Sequence, residues 1–98
     1  MNSTVLLIDP DPSAREILRT ALEWRGYRVL ESEDADDGLH LAREEHPAAV
    51  ITEFLIPVFG VARCVVEELH LDPRTKGIRL ATASSRRWPR SGSAFPWP

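Results

Sequence analysis

Short apolar runs alternate along the chain with stretches of helical periodicity. Val5, Leu6, Leu7 and Ile8 form one continuous apolar block, the mark of a strand buried on both faces of a parallel sheet. Asp11 and Pro12 then supply a helix N-cap and a first helical residue with fixed φ. Ile17, Leu18, Ala21 and Leu22 recur at helical spacing and predict the inner face, and Gly26 stops the helix. Residues 27–30 predict a second strand. Asp34 caps a second helix running to about Glu45, with Leu39 and Ala42 inward and Pro47 as its stop. Residues 48–52 predict a third strand.

A third helix is predicted from about Gly60 to His70, with Val61, Val65 and Leu69 as its inner stripe and Cys64 and Val66 beside it. Residues 72–77 carry turn chemistry, and residues 78–83 predict a fourth strand, weakened by Ala81 and Ala83. Beyond Ser84 the periodicity ends. Strands alternating with helices at this spacing imply right-handed βαβ units and a parallel α/β sheet. In such sheets ligand chemistry gathers at the carboxyl ends of the strands, which directs attention to residues 9–11, 53–57 and 82–84.

Composition narrows the classes. Ninety-eight residues allow one small domain, and 43% apolar residues give it a modest core. No apolar run is long enough to span a bilayer, and the first residues lack the layout of a signal peptide, so a soluble, cytoplasmic protein is expected. One cysteine, Cys64, excludes an internal disulfide. All fifteen acidic residues lie at or before Asp72, so residues 1–85 carry a net −6 and residues 86–98 a net +3. The acidic body argues against nucleic-acid binding by the folded part. Residues 1–85 are therefore expected to fold and residues 86–98 to form an irregular basic and aromatic tail.

His40, His46 and His70 stand at spacings unlike a metal motif, and Cys64 in its apolar stripe reads as core rather than nucleophile. No glycine-rich phosphate loop is present, and no Ser-His-Asp arrangement.

Four segments, in order, resemble the receiver domain of the two-component response regulators: VLLIDPDPSAREIL at residues 5–18, GYRVLESEDA at 26–35, PAAVITEFLIP at 47–57, and the loop from residue 72 into the strand ending at Thr82, Ala83 and Ser84. The resemblance covers roughly residues 4–85. It implies a flavodoxin-like, doubly wound parallel sheet of the receiver type, cut to about four strands in order 2-1-3-4 with three helices. It implies a role in phosphorelay signalling with a protein partner, a histidine kinase or a downstream regulator, and no membrane association. In the family an aspartate carboxylate takes a phosphoryl group from a phosphohistidine, a magnesium ion neutralises the phosphoryl oxygens, and a hydroxyl and a lysine bond the product.

Carried over position by position, the resemblance puts Asp9 at the first acidic position and Pro10 at the second, where the family keeps its direct metal ligand. Asp11, next door, reads as the helix cap. Glu53 takes the phosphoacceptor position with one methylene too many. Thr82 matches the hydroxyl position, with Ser84 as the alternative. The lysine has no counterpart, since Lys76 lies before the fourth strand. Residues 57–60 have one residue fewer between proline and glycine than the family pattern, which predicts a reshaped loop beside the acceptor.

These departures predict a pseudo-receiver that binds protein without accepting phosphate, is no enzyme, and holds magnesium weakly if at all, through Asp9, Glu53 and the Leu55 carbonyl. Glu53 then imitates a charged acceptor or marks a decayed site. Two other readings compete: a receiver still phosphorylated through Asp9 or Asp11, and a fragment of a longer response regulator whose frame was lost after Ser85. A four-stranded sheet with an open edge also predicts self-association.

Overall fold

The computed structural model describes residues 3–52, 56–58 and 61–82. In chain order the elements are β1 (Thr4–Ile8), α1 (Pro12–Trp24), β2 (Arg28–Ser32), α2 (Ala35–Glu45), β3 (Ala49–Thr52), β4 (Ile56–Val58), β5 (Val61–Arg63), α3 (Val65–Leu71) and β6 (Arg79–Thr82). Strands β2, β1, β3 and β6 form one parallel sheet in that order, and β4 and β5 form a separate antiparallel pair. The expected four-strand order and three helices are present.

The continuous apolar block of β1 occupies the sheet interior because that strand is paired on both sides, to β2 and to β3. Side chains alternate between faces. Leu6, Ile8 and Val50 point to one face and pack with Ala35, Leu39 and Ala42 of α2 and Val65 and Leu69 of α3. Val5, Leu7, Ala49, Ile51 and Ala81 point to the other, where Leu18 and Leu22 of α1 pack with them. Each fully buried leucine or isoleucine contributes about 1.5–3 kcal/mol, so the core rests on these few positions.

Helix starts follow the sequence chemistry. The Asp11 carboxylate accepts from the Ser13 backbone N–H at 2.9 Å with Pro12 in the first turn, and Asp34 accepts from the Asp37 N–H at 2.8 Å. Gly26, at φ +90°, takes the left-handed conformation that ends α1 cheaply. Within α2, Gly38 lets the helix approach β1: a Cβ there would lie 2.5–3.0 Å from three carbons of Ile8.

Three expectations are corrected. Helix α3 begins at Val65, not near Gly60: Val61 lies in β5, where it pairs with Val58. Cys64 is the half-buried N-cap residue of α3 rather than part of an inner stripe. The β-branched residues at 58 and 61 favour an extended pair, and that pair takes up the residues of the expected first helical turn. On α1, Leu18 and Leu22 are half-buried but Ile17 is 71% exposed and Ala21 is exposed too. A single helix touches a sheet along a narrow seam, so the neighbouring apolar stripe stays outside.

Candidate functional site at the carboxyl end of the sheet

Parallel pairing aligns the strand ends. Ser32, Ile8, Thr52 and Thr82 stand in one row across β2, β1, β3 and β6, and Asp9 follows the row directly. Asp9 is buried, 7% exposed. Its backbone N–H donates to the Ser32 carbonyl at 3.0 Å, extending the β1–β2 ladder by one residue. Its Oδ1 accepts the Asp11 backbone N–H at 2.9 Å. Pro10 between them is exposed and brings no side-chain oxygen. Asp9 and Asp11 thus lie next to each other at the mouth of the sheet, each with a carboxylate oxygen bonded to backbone.

The sequence reading passed over several polar residues that shape this end. Arg15, one turn into α1, donates from Nη1 to the Asp9 carbonyl, and its Nε lies 3.6 Å from the Glu31 carboxylate. Arg19 pairs with the same carboxylate at 3.2 Å. Ser32, almost fully buried, donates its hydroxyl to the Asp34 carbonyl at 2.8 Å and fixes the turn into α2. Arg15, Glu31, Ser32, Glu33 and Asp37 line a shallow cleft beside Asp9. The only signal for Arg15 was its place four residues after the cap, on the turn above Asp11.

Thr52 is fully buried and Thr82 half-buried on adjacent strands in register, with β3 between Thr82 and the end of β1. Glu53, Leu55 and Ser84 lie outside the described residues, as do residues 86–98. Among the described residues no three His, Cys, Asp or Glu side chains converge as a metal site. Of the residues expected to hold magnesium, Asp9 is the one among the described residues, and its Oδ1 and carbonyl each accept a hydrogen bond.

A second polar cluster ties α2 to the loop after α3. Arg43 Nε donates to Asp72 at 3.0 Å, and Arg74 donates to the same carboxylate from Nη2 at 2.9 Å, from Nε at 3.1 Å and from its backbone N–H at 2.9 Å. The Arg74 side-chain bonds, with its backbone N–H next, hold the Asp72 carboxyl well below the usual carboxylate range, and Asp72 in turn raises Arg74. Thr75, buried in this loop, donates its hydroxyl to the Leu69 carbonyl at 2.7 Å.

The four paired strands form an open parallel α/β sheet with Asp9, Ser32, Thr52 and Thr82 at its carboxyl end. The fold is that of response-regulator receiver domains. A response regulator from Desulfuromonas acetoxidans superposes with a TM-score of 0.68 at 24% identity, over 81% of this chain and 63% of that one. The N-terminal domain of a response regulator receiver protein from Methanoculleus marisnigri gives 0.71 at 22% identity over the same shares.

In sequence the chain is similar to response regulators. It is 36% identical over 53 residues to Protein PilH of Pseudomonas aeruginosa, which is 54% of this chain and 44% of PilH. It is 38% identical over 67 residues to a probable transcriptional regulator, ycf27, of Galdieria sulphuraria, 65% of this chain and 26% of that protein. The chain thus spans less than half the length of these relatives. No family model matches it. No described helix is long and apolar enough to cross a membrane.

Proposed function

We propose that the chain is a pseudo-receiver of two-component signalling, a module that works by binding protein and takes no phosphoryl group. The observation that carries this reading is the state of the acidic corner. Pro10 stands where the family keeps a metal-binding carboxylate, and Asp9 and Asp11 spend a carboxylate oxygen each on the Asp11 and Ser13 backbone N–H groups. Phosphoryl transfer to a carboxylate depends on positioning and on charge neutralisation by a metal. The corner retains an ordered turn and lacks the second acid. Glu53, at the acceptor position of the sequence, supplies one negative charge where an acyl phosphate supplies about −1.5 to −2. Its longer side chain moves the nucleophile off line, which alone costs about a hundredfold. The partner in this reading is a protein, a histidine kinase or a downstream regulator, as for receiver modules.

The test is incubation of the chain with acetyl phosphate and magnesium, followed by intact-mass measurement. No added phosphoryl group is expected. Glu53→Asp alone should also remain unlabelled, whereas Glu53→Asp with Pro10→Asp should gain magnesium affinity. Labelling of the unaltered chain at Glu53, Asp9 or Asp11 would overturn the proposal.

A further inference from the structure

Helix α1 touches the sheet lightly, and none of its 13 residues is buried. Leu18 and Leu22 meet the sheet, and Arg15 and Arg19 turn to Glu31 of β2. At 100° per residue, Ala14, Ile17, Ala21 and Trp24 fall together in an arc of about 80°, beside the leucines and away from the arginines. This arc is open to solvent: Ile17 is 71% and Trp24 87% exposed, Ala21 is exposed, and Ala14 is half-buried. A continuous apolar stripe of this kind, unlike a scattered single side chain, marks an interaction surface.

The order of side chains along the stripe says what fits it. From Ala14 to Trp24 it reads small, large, small, large. Turned end for end about a point level with Arg19, a second α1 sets Trp24 against Ala14 and Ile17 against Ala21, each large side chain over a small one. A parallel copy in register would instead set Trp24 against Trp24 and Ile17 against Ile17. Charge selects the same direction. Asp11, the N-cap, and Arg25, at the other end of the helix, are both exposed and lie on one flank of the stripe. The antiparallel copy brings Arg25 within roughly 3 Å, along the axis, of Asp11 of the second copy, and symmetry repeats the pair. The helix dipoles also oppose. On the other flank Glu16 comes nearly level with Glu23 of the second copy, a like-charge pair that weakens the contact. Arg19, 3.9 Å from Glu23, offsets it in part.

We infer that the stripe on α1 docks a second copy of this chain, the two helices running antiparallel with Ile17, Ala21 and Trp24 at the centre. The same patch serves on both copies, so the contact closes as a dimer and does not propagate into a filament. Contact through one helix face lies at the low end of interface size, below about 1,200 Å², and the Glu16–Glu23 pair subtracts from it. The dimer therefore forms between micromolar and millimolar protein. It needs no phosphoryl group and stands apart from the reading of the acidic corner.

The experiment is sedimentation of the full chain from micromolar to millimolar concentration, which should show a monomer passing reversibly into a dimer. Ile17→Lys and Trp24→Lys, each at an exposed position, should each raise the dissociation constant by about tenfold or more. The far-ultraviolet dichroism of both in dilute solution should match that of the unaltered chain. Glu16→Lys sets a cation against Glu23 of the second copy and should tighten the dimer several-fold. Glu67→Lys, the same charge change at an exposed position on α3, should leave it unaltered. A monomer throughout the range would leave the stripe to a different protein and overturn the inference. So would a dimer indifferent to both lysine variants of the stripe, or a Glu16→Lys chain that associates no better than Glu67→Lys.

Discussion

The hydroxyl of Thr75 donates to the carbonyl of Leu69 across 2.7 Å, with both residues almost inaccessible to solvent. Leu69 lies in the last turn of α3, where the final carbonyls of a helix have no partner within it. A threonine in a polar loop is thus the cap of a short helix. Thr75→Val keeps the shape and removes the donor, and should destabilise the chain by about 1–2 kcal/mol. Thr75→Ser should lose less. Urea titration of both variants measures the difference, and equal midpoints would show that the bond contributes nothing.

Asp72 gives the fold a pH dependence with a defined sign. Its carboxyl is held below the ordinary range mainly by Arg74, so the folded state favours the ionised form. That contribution is present above the ordinary carboxylate pKa of about 4 and is lost progressively as pH falls below it. Asp72→Asn should lower the melting temperature at neutral pH, and the gap to the unaltered chain should narrow on acidification. A gap independent of pH would show that the ion cluster is not its source.

Gly38 is where a favourable local change should fail. Alanine in a helix interior is better than glycine by about 1 kcal/mol. Here its methyl would meet Ile8, a fully buried β-branched side chain with little room to turn. Gly38→Ala should therefore destabilise by about 1–3 kcal/mol, and Ile8→Val should recover part of the loss in the double variant. Thermal melts of the three chains decide it.

The role given to Asp9 separates charge from hydrogen bonding. Asp9→Asn keeps an oxygen for the Asp11 N–H and should melt within a degree or two of the unaltered chain. Asp9→Ala leaves that N–H unpaired at a half-buried site and should cost about 1–2 kcal/mol. If asparagine is as damaging as alanine, the charge itself is what the corner needs.

The legible parts of the fold were those in which one window of sequence holds the whole cause. The apolar block of β1 and the Asp11–Pro12 and Asp34 helix starts depend on neighbours within a few residues. The β4–β5 pair does not: Val61, Val65 and Leu69 fit a helical stripe, and only the partner strand at residues 56–58 makes Val61 extended. The periodicity of α1 offered Ile17 and Ala21 beside Leu18 and Leu22, and local spacing cannot say which stripe meets a sheet that carries one helix on that side. At the site, Asp9, Asp11 and Thr82 could be placed from strand ends alone. Arg43 and Asp72 meet across 29 positions of chain, a distance no local pattern spans.

The central place of β1 also bears on how the chain is made. Strand β1 leaves the ribosome before its sheet neighbours and carries Val5, Leu6, Leu7 and Ile8, all destined for the interior, yet one of its two neighbours, β3, ends only at Thr52. At about 5–20 residues per second, a nascent chain carries this adhesive segment half-satisfied for on the order of seconds. A holdase that grips short apolar runs would find a binding site there, and the moment of release would be set by the emergence of β3.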